Sequence, residues 1–253
     1  MELKDFFEKH RRVAVAFSGG VDSSYLLYAA KKYAEEVRAY YVKSAFQPAF
    51  EYEDAVRLAK ELEISLCVIN LDVLSDETVT SNPSDRCYYC KRKIFSEIIA
   101  KVQKDGFEVL LDGTNASDDV ADRPGVRALK ELKVLSPLKE CGLTKKQIRE
   151  LSKEAGLFTW NKPAYACLAT RLPVGKKITK EALEITEKAE AFMAGLGFSD
   201  FRVRMLSEEK PVAKLEVRES QLPLLLKKKN EIIMELKKYY SRVLLDLEMR
   251  NEQ

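Results

Sequence analysis

Ser18-Gly19-Gly20-Val21-Asp22-Ser23-Ser24 follows the apolar run Val13-Ala14-Val15-Ala16-Phe17 and leads into Tyr25-Leu26-Leu27-Tyr28-Ala29-Ala30. That order reads as a buried strand, a glycine turn and an amphipathic helix. Such a turn aims successive backbone N–H groups and a helix N-terminus at one spot, which suits a phosphate. Gly19 and Gly20 let the backbone approach a ligand with no Cβ in the way, and Ser18, Ser23 and Ser24 add hydroxyl donors. Asp22 is out of place beside an anion unless it helps to hold a magnesium ion or orients the loop. The run has neither the spacing nor the lysine of a Walker loop, G-x-x-x-x-G-K-[ST]. The plainer reading is a glycine turn with a Ser/Asp helix cap. The strand before it and the helix after it favour the phosphate reading.

Working outward, the first half of the chain repeats the strand–helix alternation. The apolar runs predict strands at 13–17, 37–42, 66–70 and 109–112, with a short piece at 134–135. Helical patterns fall at 23–33, 51–62, 90–104, 125–131 and 145–155. This predicts an α/β fold, a parallel sheet with helices on both faces. Ligands of such sheets bind beyond the carboxyl ends of the strands, where the Ser18 turn falls. After Gly156 the pattern changes: Pro163, Pro173 and Gly175 break up a linker-like stretch. A helix at 180–196, strands at 201–205 and 212–217, a helix at 221–239 and a strand at 242–247 are expected next. The predicted organisation is residues 1–156 as the nucleotide domain, 157–178 as a cysteine-bearing linker, and 179–253 as a smaller C-terminal α/β domain.

The chain has 253 residues, 46% hydrophobic and 33% charged, which fits a globular protein with a full core rather than a disordered one. Met1-Glu2-Leu3-Lys4-Asp5 is charged and has no signal-peptide apolar core, and no run approaches the ~20 apolar residues of a membrane span. A cytoplasmic protein without membrane contact is expected. The net charge of +3 and the lack of a basic tract argue against nucleic acid as a partner; Lys227-Lys228-Lys229 sits in a helical pattern as a solvated face.

Five cysteines in a cytosolic chain point to metal or redox chemistry rather than a disulfide framework. Cys67 lies in an apolar strand, where cysteine behaves as a small hydrophobe, and Cys141 precedes Gly142 in a loop. Cys87 and Cys90 form a C-x-x-C within Asp85-Arg86-Cys87-Tyr88-Tyr89-Cys90-Lys91, and Cys167 sits in Pro163-Ala164-Tyr165-Ala166-Cys167-Leu168-Ala169-Thr170-Arg171. A C-x-x-C serves a zinc ion, an iron–sulfur cluster or a redox disulfide. Zinc would need a further ligand from Cys67, Cys141, His10 or a carboxylate. A second polar loop, Gly113-Thr114-Asn115-Ala116-Ser117-Asp118-Asp119, follows the strand at 109–112. Gly113 and Asp119 are its candidates for a nucleotide or magnesium site, against the plain alternative of a capped turn.

The Ser18 run resembles the SGGxDS loop of the PP-loop ATP pyrophosphatases. Taken with DGTNASDD (112–119), RPG (123–125), SPL (136–138), GLTK (142–145) and KPAYACLATR (162–171), the chain resembles the LarE family of ATP-dependent sulfur transferases over nearly its whole length. The block around Cys167 is the specific part. The resemblance implies that Ser18, Gly19, Gly20, Asp22, Ser23 and Ser24 bind ATP and Mg2+. It also implies that ATP adenylates a carboxylate of pyridinium biscarboxylic acid mononucleotide. A sulfur species would then displace AMP to leave a thiocarboxylate, a precursor of the nickel-pincer nucleotide cofactor. Members with a lone cysteine at the position of Cys167 give up their own sulfur, whereas a three-cysteine type is associated with an iron–sulfur cluster. Cys87, Cys90 and Cys167 place this chain with the second type, holding a 4Fe–4S cluster whose fourth iron carries sulfide. Cys167 and Arg171 are the implied catalytic residues. Arg171, Arg202 and Arg204 are the implied contacts to the substrate's carboxylates and phosphate, a task for which guanidinium forks are suited. Arg86 either tunes the cluster or binds substrate. A symmetric homo-oligomer is also implied. The alternatives are a PP-loop tRNA thiolase with a three-cysteine cluster, an ammonia-dependent ligase of the same superfamily, which leaves the cysteines unexplained, and a nucleotide-binding module that releases no pyrophosphate.

Overall fold

The computed structural model describes residues 2–118, 124–207 and 211–250, and the chain divides into two units. The first comprises Met1–Val73 and Asp85–Lys162; the second comprises Leu74–Ser84 and Pro163–Gln253.

The first unit opens with α1 (Leu3–Lys9), β1 (Arg12–Ala16), α2 (Val21–Tyr33), β2 (Glu36–Lys43), α3 (Ala49–Glu61) and β3 (Leu66–Asn70). After the segment that carries α4 (Glu77–Thr80) and belongs to the second unit, it continues with α5 (Arg86–Lys104), β4 (Leu110–Leu111), α6 (Pro124–Glu131), α7 (Pro137–Glu140) and α8 (Lys145–Glu154). All three strand pairings are parallel, in the order β3-β2-β1-β4, and a bridge from Leu111 to Leu135 adds the short piece expected at 134–135.

Alternation along the central strands sorts the core onto two faces. Val13 and Val15 of β1 and Tyr41 of β2 pack with Leu26, Leu27, Leu58 and Ile148. Ala14, Tyr40 and Val42 pack with Ile98, Val102 and Leu129. Burial on both faces is why these strands read as continuous apolar runs. Each fully buried aliphatic side chain contributes about 1.5–3 kcal/mol of transfer free energy. Chain direction reverses between β1 and β4: successive connections run from β1 to β2 to β3, and the chain then returns to the other side. The crevice beyond the carboxyl ends of β1 and β4 is therefore a topological switch point, the favoured ligand position in such sheets. The loops at Ser18 and Gly113 leave those two strand ends.

The start of α5 shows the largest departure from the expected boundaries in this unit. The helix predicted from Cys90 begins at Arg86, so Cys87 lies in its first turn rather than ahead of it. Tyr88 explains the difference. It is buried, its hydroxyl donates to Glu131 Oε2 at 2.8 Å, and the Arg127 guanidinium lies 4.1 Å from its ring centre, so α6 anchors the first turn of α5.

The second unit contains α4, α9 (Lys180–Gly195), β5 (Arg202–Met205), β6 (Val212–Glu216), α10 (Leu222–Leu236) and β7 (Arg242–Leu245). β6 is central, antiparallel to β5 and parallel to β7. Leu74–Ser84 joins this unit through three bonds of 2.7 Å: Gly175 N to Asn82 O, Ile178 N to Thr80 O, and Asn82 Nδ2 to Pro173 O. Among the described residues no helix is long and apolar enough to cross a membrane.

Candidate functional site

The Ser18 loop is braced by its own serines. Ser18 N donates to Ser23 Oγ at 3.3 Å, the two serine hydroxyls lie 3.0 Å apart, and Ser23 Oγ donates to Gly20 O at 3.2 Å. Gly19 has φ +74°, and a Cβ there would stand 3.0 Å from Glu51 O, so both backbone conformation and space call for glycine. Gly20 caps α2 without a side-chain hydrogen bond, which leaves the first-turn N–H groups of α2 to a ligand. Asp22, in that first turn, pairs with Lys145 Nζ through Oδ2 at 2.5 Å. Its other oxygen, Oδ1, is buried and has no hydrogen-bond partner among the described residues. Burial pushes the Asp22 carboxyl above its ordinary value; Lys145 opposes this and the nearby Asp118 adds to it. An orphaned carboxylate oxygen beside a phosphate-binding turn is the donor a magnesium ion takes, so Asp22 fits that ion. Ser24 Oγ is likewise buried and unpartnered among the described residues.

The second loop lies directly against the first. A Cβ on Gly113 would stand 2.9 Å from Ser23 N and 3.2 Å from Ser23 Cα. Asp112, which is buried, accepts from Thr114 Oγ1 at 2.5 Å and Ser136 Oγ at 2.6 Å; Asn115 N donates to Asp118 Oδ2 at 3.0 Å. Gly113→Ala is therefore expected to push this loop off α2, costing about 1–3 kcal/mol of stability as overpacking does. A thermal melt and a nucleotide-binding titration check this; an unchanged melting temperature with unchanged ATP affinity would show that the loops separate without cost. Asp119 lies outside the described residues.

Two lysines that carried no assigned chemistry in the sequence meet the same loop. Lys145 comes from the GLTK block, 123 residues from Asp22. Lys162, from the start of the Cys167 block, donates to Gly19 O at 3.1 Å and pairs with Asp54 at 2.6 Å. Only the fold reveals them. The one sequence signal was their place in blocks that matched the family pattern without a stated role.

All five cysteines lie among the described residues and none is paired in a disulfide. Cys87 and Cys90 are three apart on α5 and so share one side of the helix, Cys87 exposed and Cys90 half-buried. Arg86 is buried, its Nη2 4.0 Å from Cys87 Sγ. Cys67 and Cys141 pack against the two apolar cores, and burial raises the Cys141 thiol above its ordinary value, as suits small core hydrophobes. Among the described residues no three His, Cys, Asp or Glu side chains are gathered into a metal-holding group. The helix thus offers two thiols for a metal or cluster and no complete ligand set.

In the second unit, Cys167 is half-buried at the head of a 3-10 turn, Leu168–Arg171. Three guanidinium groups hold its loop by backbone carbonyls: Arg171 Nη1 donates to Ala166 O at 2.8 Å, Arg202 Nη2 to Ala164 O at 2.8 Å, and Arg204 Nη1 to Thr170 O at 2.6 Å. Arg171 is buried and binds Glu190 through Nε at 2.8 Å and Nη2 at 3.0 Å. Tyr165 donates to the same carboxylate at 2.6 Å, and its ring lies beneath both Arg171 and Arg202. Burial, with Arg171 and Arg250 nearby, pushes Arg202 down to about 10. Arg204 also binds Glu216 and keeps a third of its side chain exposed.

Two depressed carboxylates make this unit acid-sensitive. Burial alone would raise Asp200, but Arg218 and Arg250 bind its two oxygens at 2.9 Å each and hold it below its ordinary value. Glu216 behaves likewise with Arg204 and Lys214. A lowered folded pKa contributes stability that is present above the unfolded value, about 4, and is lost as pH falls through the folded one. Melting temperature should hold from pH 7 to 5 and fall steeply below about 4, and Asp200→Asn should flatten that limb. An equally steep acid limb in Asp200→Asn would remove Asp200 as its source.

A family profile described as the PP-loop domain matches residues 1–122. An uncharacterised protein of Synechocystis is 34% identical over 87% of this chain and 81% of its own length. The pyridinium-3,5-bisthiocarboxylic acid mononucleotide synthase of Lactiplantibacillus plantarum is 33% identical over 87% of this chain and 78% of its own length. A tRNA-specific 2-thiouridylase of Clostridium botulinum is 30% identical over only 59% of this chain and 52% of its own length.

Proposed function

Because the chain belongs to the LarE family of PP-loop enzymes, we propose that it uses ATP to adenylate a carboxylate of pyridinium biscarboxylic acid mononucleotide and converts the adenylate to a thiocarboxylate. The product would serve nickel-pincer nucleotide biosynthesis, in the cytoplasm and in a homo-oligomer. The observation that carries the reading is the glycine turn on α2, braced by serines and carrying a carboxylate oxygen without a partner, in a chain akin to the synthase over most of its length.

The α2 N–H groups, with Ser18, Ser23, Ser24 and the backbone at Gly19 and Gly20, bind the phosphates; Asp22 holds Mg2+ with Asp119, and Gly113 brings the second loop against the first. A substrate carboxylate oxygen attacks the α-phosphorus in line, and pyrophosphate leaves with the electron pair of the broken P–O bond. Sulfur then adds to the acyl carbon and AMP departs. Cys167 is the sulfur-handling residue. Arg171, buried on Glu190, and Arg202, buried on the carbonyls of Phe201 and Ala164, act by fixing the Cys167 loop, while Arg204, the more exposed of the strand pair, meets the substrate's anionic groups. Cys87, Cys90 and Cys167 would hold a 4Fe–4S cluster. When bound, that cluster supplies a replaceable sulfide; iron and acid-labile sulfide analysis of anaerobically purified protein tests it.

The activity itself is tested by product analysis with ATP, Mg2+ and the dicarboxylate nucleotide. AMP and pyrophosphate are expected, dependent on that nucleotide, and ADP as the main product would overturn the reading.

A further inference from the structure

We propose that Arg149 is a positioning residue of the adenylation site: acting through Lys162, it sets the direction of the Gly19–Gly20 peptide that receives the phosphates of ATP. The proposal rests on the ATP reading above. Arg149, Lys162, Gly19 and Asp54 all belong to the first unit.

The turn itself creates the need for such a residue. The peptide between Gly19 and Gly20 joins two residues without a Cβ, which leaves it free to flip. Its carbonyl and its N–H point opposite ways across the trans peptide plane, so whatever holds Gly19 O also aims Gly20 N–H. On the N–H side, Gly20 N donates to Ser18 Oγ at 3.4 Å, so an amide and a hydroxyl converge where an anion would sit. On the carbonyl side, the Lys162 ammonium donates to Gly19 O at 3.1 Å. Asp54 pairs with that ammonium at 2.6 Å, and only 14% of the Lys162 side chain is exposed.

Lys162 keeps this place only if its backbone does. It ends the short 3-10 turn Phe158–Asn161, and the next residue is Pro163, which has no N–H to continue the turn. The carbonyls at the end of such a turn need donors from elsewhere. Arg149, on α8, supplies two: Nη1 donates to Trp160 O at 2.8 Å and Nη2 to Lys162 O at 3.0 Å. One planar guanidinium thus fixes both carbonyls in a single geometry, a task that the point charge of a lysine does not perform. Two other cations grip the rings of the turn: the Arg57 guanidinium lies 4.0 Å from the Phe158 ring centre and the Lys153 ammonium 4.9 Å from that of Trp160. Arg149 also favours the charged form of Asp22 from a distance, so its fork and its charge are separable contributions.

The full chain is tested as Arg149→Lys, Arg149→Met, Lys162→Met and the double variant Arg149→Lys/Lys162→Met. Calorimetry gives the affinity for α,β-methylene-ATP, and pyrophosphate release gives KM for ATP and the turnover number, all well below each variant's melting temperature. Arg149→Lys keeps the charge near Asp22 and loses the fork. Its affinity for the analogue and its KM should worsen about tenfold, the loss of one hydrogen bond to a charged group. Its turnover number should change by less than about threefold, because the contact is made in the ground state as well. Arg149→Met should match it. Lys162→Met, with the fork intact, should show the same loss, and the double variant should be no worse than Lys162→Met alone. Affinity within about twofold of the unaltered protein in Arg149→Lys would overturn the proposal, since the charge would then suffice without the fork. Unchanged affinity in Lys162→Met would overturn it too. So would losses that multiply in the double variant, the pattern of two residues acting independently. If the unaltered protein neither binds the analogue nor releases pyrophosphate, the ATP reading falls and takes this proposal with it.

Discussion

Cys167→Ala is expected to form no detectable thiocarboxylate, a loss of more than about 10³-fold, while ATP is still cut to AMP and pyrophosphate when substrate is present. The split follows from the architecture. The phosphate turn, its lysines and the second loop all belong to the first unit, whereas Cys167 sits in the second, in a loop whose carbonyls are held by Arg171, Arg202 and Arg204. Alanine leaves those carbonyl bonds in place, because none of them uses the thiol. Cys87→Ser and Cys90→Ser should give the same split, since α5 keeps Tyr88 anchored on α6 without them. Parallel assays of pyrophosphate and of the sulfur product settle the matter. Normal thiocarboxylate formation by Cys167→Ala would remove the thiol from the chemistry, and simultaneous loss of pyrophosphate release would show that the two half-reactions are not separable.

Asp22→Ala should do the reverse, lowering pyrophosphate release by about 10³-fold, a larger effect than any single loop serine. Alanine removes the carboxylate oxygen that stands buried without a partner and also frees Lys145 from its ion pair. A preformed thiol-reactive or acyl-adenylate substrate would bypass the defect, because the Cys167 loop is untouched. The variant should also not be less stable than the parent: the carboxylate it deletes is one that burial disfavours in its charged form. Full pyrophosphate release in Asp22→Ala would take the carboxylate out of the ATP site.

Much of the first unit was legible because its determinants are local. The run from Val13 to Ala30 writes strand, turn and helix in one stretch, and β1, β2 and β3 lie within a residue or two of the apolar runs that predict them. What was not legible is long-range. Lys145 and Lys162 reach the phosphate turn across 123 and 143 residues, and no spacing rule links them to Asp22 or Gly19. Residues 74–84 fall within the stretch 1–156 expected as the nucleotide domain, yet their backbone pairs with Gly175 and Ile178. The early start of α5 depends on Tyr88 finding Glu131 and Arg127, again a tertiary contact. Arg171 shows the same limit from the other side. Sequence supplies an arginine four residues after Cys167, but only the fold reveals that the guanidinium is buried against Glu190 and binds the loop's own carbonyls.

Oxygen labelling tests directly whether ATP activates a carboxylate before sulfur arrives. With both oxygens of the substrate carboxylate as 18O, attack on the α-phosphorus carries one labelled oxygen into the acyl-adenylate, and expulsion by sulfur leaves it on AMP. Mass spectrometry should find one 18O in AMP for each thiocarboxylate formed and none in pyrophosphate. AMP without label, or label appearing in inorganic phosphate beside ADP, would show that the carboxylate is not activated by adenylation.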